Sequence, residues 1–332
     1  MSQESKVVCE DGPAEKPQDQ RIRGFLSKFG LFVAVIILFA ILSVIAPNFV
    51  STRNMINVLR QVSFVGIISC GMTMALIGAE VDLSVGSVVA LTSSLLGVLI
   101  IKLHVSIPLA IVICLVEATL VGVFAGYIRV RWEVPGLIVT IALMLSLRGV
   151  AFVLTNAYPI PITDEGFAFL GGGYFLGVPF PAIIFILTIA LFGFISTRTV
   201  YGRSVYAVGG NAEATRLSGI PVKRVRIIMF ATTGLLAAIS GVLLTSRLSS
   251  GYAGVGSGWE FDCISAVIIG GTSLFGGEGT IFGTLLGVLF IGLLGNGMIL
   301  MGVNPYMQEV ARGVIILAAV LLSAIQRPKT SA

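Results

Sequence analysis

The chain has 332 residues, 56% of them hydrophobic and only 11% charged, with a mean hydropathy of +1.02 and a formal net charge of +5. A soluble enzyme or nucleic-acid-binding domain of this length does not have such a composition, so helices within a bilayer are expected. A transmembrane barrel is excluded as well, because apolar runs such as 31–46 and 281–301 do not alternate with a period of two.

Residues 1–28 are polar and of mixed charge and read as a cytoplasmic tail. The first apolar run, 31–46, is followed by Pro47, Asn48 and Phe49 rather than by small residues suited to cleavage, so it reads as an uncleaved span. Further spans are expected at about 56–78, 85–101, 108–128, 135–155, 180–196, 227–247, 263–275, 281–301 and 307–325, divided by clusters of Gly, Pro, Asn or charge. That makes ten helical spans, within a membrane domain at 29–326 and before a short polar tail at 327–332.

Basic residues orient the chain, because cytoplasmic loops collect Lys and Arg. With the N-terminus inside, the inner side holds Lys6, Lys16, Arg21, Arg23, Lys28, Arg129, Arg131, Arg198, Arg203, Arg216, Lys223, Arg224, Arg226, Arg327 and Lys329. Only Arg53, Arg60, Lys102, Arg148, Arg247 and Arg312 fall in outer loops or within spans. Both termini are therefore expected in the cytoplasm. The basic balance needs no nucleic-acid partner.

Polar residues inside apolar runs are costly and so are candidates for function. In chain order these begin with Glu80 and Asp82, between the second and third spans, where Asp82 or Ser84 can cap the next helix. Glu117 stands alone in the fourth span, and Glu260 and Asp262 open the eighth on its outer side, either as helix-start charges or at the entry to a pathway. The glycine-rich stretch 270–280 lacks the Gly-Lys-Ser/Thr ending of a phosphate-binding loop and reads as a tight turn between helices. Glu309 and Arg312, three apart, share a helix face and are expected to pair. His104 reads as a loop histidine. Cys9, Cys70, Cys114 and Cys263 form neither a disulfide framework nor a metal set, and no cofactor is expected.

The longest inner connection, 197–226, contains a capped two-turn helix: Asn211 as N-cap, Glu213 in the first turn, and Gly219 with Pro221 as the stop. Glu213, Ala214 and Thr215, followed three residues later by Gly219, have the spacing of the EAA---G loop of bacterial ABC-importer permeases. Three further stretches join it: Gly78 to Ser87 (GAEVDLSVGS), Ala207 to Asn211 (AVGGN) continuing through Leu217 to Ile220, and Glu260 to Ser273 (EFDCISAVIIGGTS). Together with Leu147-Arg148-Gly149 and Pro159-Ile160-Pro161, they make the chain resemble the ribose-type sugar ABC permeases over about residues 25–325.

The resemblance implies an all-α permease that works as a homodimer or heterodimer in the bacterial inner membrane. It implies a separate ATPase subunit beneath, a periplasmic sugar-binding protein above and a monosaccharide-like solute. Asn211, Glu213, Ala214, Thr215, Arg216 and Gly219 are then the candidates for coupling to the ATPase. Glu80, Asp82, Ser84, Glu260, Asp262, Thr272 and Ser273 are the candidates along the translocation pathway. Glu278 departs from the family's pattern, and its role and that of Glu117 stay open. No Walker-type loop is present and no inner loop is long enough for an ATPase domain, so the chain by itself should catalyse nothing. The alternative is a self-contained transporter or channel in which Glu117, Asp82 or Glu80 carries coupling protons.

Overall fold

The computed structural model describes residues 17–325, with side chains from residue 30 to 321 apart from Ala319. The basic residues expected in the two tails therefore have no described side chain. The helices are α1 (Pro17–Ile45), α2 (Thr52–Ile77), α3 (Val85–Gly97), which runs on as a π-helical turn Val98–Lys102, α4 (Ile107–Arg131), α5 (Gly136–Thr155) and α6 (Glu165–Gly172). They continue with α7 (Phe180–Arg198), α8 (Val200–Gly210), α9 (Ala212–Leu217), α10 (Val222–Leu248), α11 (Trp259–Ile269), α12 (Ile281–Leu300) and α13 (Pro305–Ile325). Two short antiparallel ladders are added, β1 (Ile160–Pro161) with β4 (Ser250–Gly251) and the hairpin of β2 (Tyr174–Phe175) with β3 (Val178–Pro179).

Among the described residues, seven helices are long and apolar enough to cross a membrane: α2, α3 with its π turn, α4, α5, α7, α10 and α12. The apolar part of α1, Gly30–Ile45, is shorter. The stretch expected as an eighth span, 263–275, is not a membrane-long helix: α11 has 11 residues, about 16 Å of helix against the ~30 Å of a hydrocarbon core. Its stop is a glycine signal within the apolar run. Gly271 takes φ +86°, its amide reaches the Ile268 carbonyl (2.9 Å), and that of Thr272 reaches Val267 (3.1 Å), closing the last turn.

The packing has a centre and a rim. The most apolar windows of α2, α3 and α10 are 89%, 72% and 67% buried, against 22% in α4 and 17% in α5, so α2, α3 and α10 form the centre and α4 and α5 face outwards. Helix α4 meets α10 along a stripe of small residues four apart, Ala110, Cys114, Ala118, Gly122 and Gly126, all buried. A Cβ on Gly122 would run into the Phe230 carbonyl, and one on Gly234 into that of Ala118. Gly122→Val is accordingly expected to destabilise by about 1–3 kcal/mol through overpacking. Gly193→Ala, with nothing within 4 Å of its Cβ, should leave thermal unfolding in detergent unchanged.

At one end the connections α2–α3, α4–α5, α7–α10 and α11–α12 converge. The contacts that join them include Arg129 and Arg226 on Glu80, the Gly277 amide on the Ile77 carbonyl (2.8 Å), and the Tyr206 hydroxyl on the Gly279 carbonyl (2.7 Å). Arg131, Arg198, Arg203, Arg216, Lys223 and Arg224 flank the same connections, so this is the basic end. At the opposite end, Asn54 and Asn296 exchange two hydrogen bonds of 2.9 Å, Lys102 donates to the Leu154 carbonyl (3.2 Å), and β1 pairs with β4. His104 lies there in an exposed turn at φ +52°.

Candidate functional site

The candidate coupling residues form a rigid projection at the basic end. Thr199 caps α8 by accepting the Gly202 amide (3.0 Å), and Asn211 caps α9 by accepting that of Ala214 (2.9 Å). Gly219, at φ +82°, ends the helix: its amide bonds to the Arg216 carbonyl (3.0 Å) and that of Ile220 to Thr215 (3.3 Å). Thr215 is buried, its hydroxyl donating to the Asn211 carbonyl (2.7 Å). Glu213 and Arg216 face outwards as an ion pair of 2.6 Å, and the hydrogen bond from Arg216 holds the Glu213 carboxyl below its usual range. Next to Arg216 in the chain stands Leu217, 74% exposed, an apolar residue on a polar turn that the sequence motif contained without marking.

Both flanks of α9 are fixed to the break between α2 and α3. On the α8 side, Gly209 packs on the Ile77 carbonyl so closely that no Cβ fits, and Gly276, at φ +86°, lies against Ala79 and the Gly209 carbonyl. On the α10 side, Arg226 Nε lies 3.1 Å from Glu80. Arg129, in the last turn of α4, places its Nε 2.9 and 3.1 Å from the two Glu80 oxygens. Gly136, which starts α5, leaves just the room that Glu80 Oε2 occupies. Glu80, 3% exposed, thus ties the ends of four helices together, with two guanidinium groups neutralising one buried carboxylate.

Two residues further on, Asp82 Oδ1 accepts from the Ser84 amide (3.0 Å) and hydroxyl (2.6 Å), while the Thr233 hydroxyl of α10 donates to its other oxygen. Ser84 stands at the N-cap of α3 but its hydroxyl is turned to Asp82, so the local turn is made by the aspartate. Thr140 of α5 donates to the Val81 carbonyl (3.3 Å). Glu80, Asp82 and Ser84 therefore form one polar break held by α4, α5 and α10.

The remaining candidates are split between two places. From Ser250 to Gly256 the chain descends along α3: Gly251 lies against Ser93 and Gly97, the Tyr252 amide bonds to Ser93 Oγ (3.1 Å), and Gly256 lies against Gly86 and Val89. Glu260 consequently sits beside Gly86 in the interior, 6% exposed, instead of at an outer mouth. The descending segment is held by Arg148 of α5, whose Nη1 donates to the carbonyls of Ala253 (3.0 Å) and Val255 (2.6 Å). Irregular backbone at this depth needs such partners. Sequence reasoning named Arg148 only as part of a motif, because the carbonyls it serves are more than a hundred residues away.

Asp262 pairs with Arg312 across α11 and α13 at 3.5 Å. The expected Glu309–Arg312 pair does not form: the arginine turns to the buried aspartate and Glu309 is exposed. The cleft beside this pair, lined also by Gln61, Val65 and Gly292, leaves about 50 Å³, room for a water or two but not for a sugar ring. Thr272 and Ser273 lie elsewhere, in the 270–280 turn at the basic end, where the Ser273 amide bonds to the Glu278 carbonyl (3.0 Å). They stand with the candidate coupling residues and apart from Glu260. No group of three or more potential metal ligands occurs among the described residues. Glu117, in the wall of an apolar groove on α4, has one carboxyl oxygen buried without a partner.

Residues 54–320 match the family described as the branched-chain amino acid transport system / permease component. The chain is 46% identical over 94% of its length to the Probable ABC transporter permease protein YphD of Escherichia coli K12, and covers 94% of that protein. It is 42% identical to the ribose import permease protein RbsC of Bacillus subtilis, over 90% of this chain and 93% of the relative. With the L-arabinose transport system permease protein AraH of Escherichia coli K12 the identity is 36%, over 89% of each. No solved structure matches. A multi-pass helical chain with these relatives belongs to the permease family that includes the ribose and arabinose permeases of ABC transporters.

Proposed function

We propose that the chain is the membrane subunit of an ATP-driven importer that carries a monosaccharide-like solute across the bacterial inner membrane. The energy comes from ATP hydrolysed on a separate ATPase subunit, a periplasmic binding protein delivers the solute, and a second permease completes the membrane part. The basic end faces the cytoplasm, with both termini inside and the chain traversing the membrane ten times, α11 supplying the incomplete passage.

The observation that carries this reading is the mounting of α9. A helix of six residues, capped at both ends and fixed on both flanks to the 77–82 break, moves as a solid piece with that break. Displacement of α9 by an ATPase is then felt at Glu80, Asp82 and Thr233, where α2, α3, α4, α5 and α10 meet, and rigid-body shifts of packed helices are the ordinary way such a displacement opens one side of a membrane protein. Glu213, Arg216 and Leu217 are the contacts offered to the ATPase.

Assembly tests the proposal. Light scattering of the purified chain mixed with an ATPase and a periplasmic binding protein of this transporter class from the same cell should give one particle holding two permeases and two ATPases. A permease that stays alone at micromolar concentrations of all three would contradict it.

A further inference from the structure

Arg60 of α2 is 5% exposed, and the described residues satisfy it poorly. Its Nη2 reaches the Gly172 carbonyl at 3.4 Å, its Nε has no partner, and no carboxylate of the described residues lies within ion-pair distance of it. A guanidinium has five donors and keeps its charge, so one long hydrogen bond leaves it short of an anionic acceptor. Its flat face is covered by the Tyr174 ring, 5.1 Å away.

The surroundings say which anion fits. Tyr174 belongs to the β2–β3 hairpin at the end opposite the basic loops, directly before α7. The two residues of its turn, Leu176 and Gly177, take φ +50° and +79°. That is the geometry of a tight hairpin turn, where Asn-Gly is the usual choice and leucine is strained. Yet Leu176 is 90% exposed and Phe175 58%. An apolar tip in a conformation costly for it finds its counterpart where lipid tails begin. The helix that follows the hairpin, α7, also exposes apolar side chains, among them Ile186, Leu187 and Phe194. Phe185 of α7 packs at Gly66, so Arg60 lies about two turns nearer the helix end, at the head of the apolar span.

We propose that Arg60 and the β2–β3 hairpin form a phospholipid site, with the lipid phosphate on the guanidinium beside Tyr174 and the acyl chains against Phe175 and Leu176. Arginine at the polar boundary of a bilayer, paired with phosphate through its planar fork, supplies the binding, and the hairpin tip selects a lipid over a free anion.

The test is amide hydrogen exchange across 174–178 in the full chain, purified in a neutral maltoside detergent and titrated with short-chain phosphatidylglycerol. The lipid should slow exchange there, and Arg60→Gln should need about tenfold more lipid for half-protection, as expected for losing one charge-assisted contact. Arg60→Lys should fall between. Inorganic phosphate and a diacylglycerol with the same tails should give no protection. Equal half-protection in wild type and Arg60→Gln would overturn the site. Protection by inorganic phosphate alone would make it a free-anion site, and protection only by the soluble binding protein would make it a protein contact; either overturns the proposal. Should Arg60→Gln not fold, Leu176→Ser, at the exposed tip, should unfold at the wild-type temperature and still need severalfold more lipid; an unchanged lipid requirement would also overturn it.

Discussion

Glu80→Gln should leave the chain in the membrane but stop ATP-driven uptake, with stability lowered by about 2–3 kcal/mol. Breaking a buried ion pair typically costs ~3–5 kcal/mol, and the loss here is smaller because both arginines retain some exposure, 18% for Arg129 and 21% for Arg226. The carboxylate is the only negative charge paired with the two guanidinium groups among the described residues, and a neutral amide leaves both facing it without compensation. A double-mutant cycle with Arg129→Gln, read by thermal unfolding in detergent, should show a coupling energy of at least ~1 kcal/mol, because the partners touch directly. Additive losses would mean that the three residues stand close without acting together, and normal uptake by Glu80→Gln would remove this break from the transmission of force.

Thr215→Pro is expected to uncouple the permease with little effect on the membrane core. The Thr215 amide bonds to the Asn211 carbonyl at 3.0 Å, and proline removes that donor and crowds the preceding turn in a helix only six residues long. Because α9 lies outside the spans, insertion and the unfolding temperature of the core should be nearly those of the wild type, while co-purification of the ATPase is lost. Reversing the outer ion pair, Glu213→Arg with Arg216→Glu, keeps the pair within the chain but inverts the surface offered to a partner. If the ATPase reads those charges, the swapped chain should bind it weakly. If it reads only Leu217 and the shape of the turn, the swap should bind normally and Leu217→Asp should not.

The capped helix α9 was the most legible part of the sequence, since its cap Asn211 and its stop at Gly219 are set by residues close together in the chain and capping is a local property. Charge asymmetry foretold the basic end for a similar reason, as each loop contributes independently of the fold. What stayed hidden depends on distance along the chain. Glu80 meets Arg129 across 49 positions, and Arg148 meets the carbonyl of Val255 across 107. Nothing in either segment announces its partner.

The shortness of α11 is hidden from the sequence for another reason. Hydropathy carries the apolar run through Gly270 and Gly271, whereas the close approach of Gly270 to Gly283 and the positive φ of Gly271 end the helix. Glycine was visible there, but an apolar window does not weigh conformation. Spacing pairs Arg312 with Glu309 on one helix face, whereas tertiary packing gives it to the buried Asp262.

Solute uptake into sealed proteoliposomes separates an ATP-driven membrane subunit from a self-contained transporter. The permease would be reconstituted with and without its ATPase, with binding protein and labelled pentoses or hexoses outside. ATP in the lumen should drive accumulation only when the ATPase is present, and a proton or sodium gradient across vesicles holding the permease alone should drive none. Accumulation by the permease alone under an ion gradient would contradict the account and make Glu117 the first residue to examine.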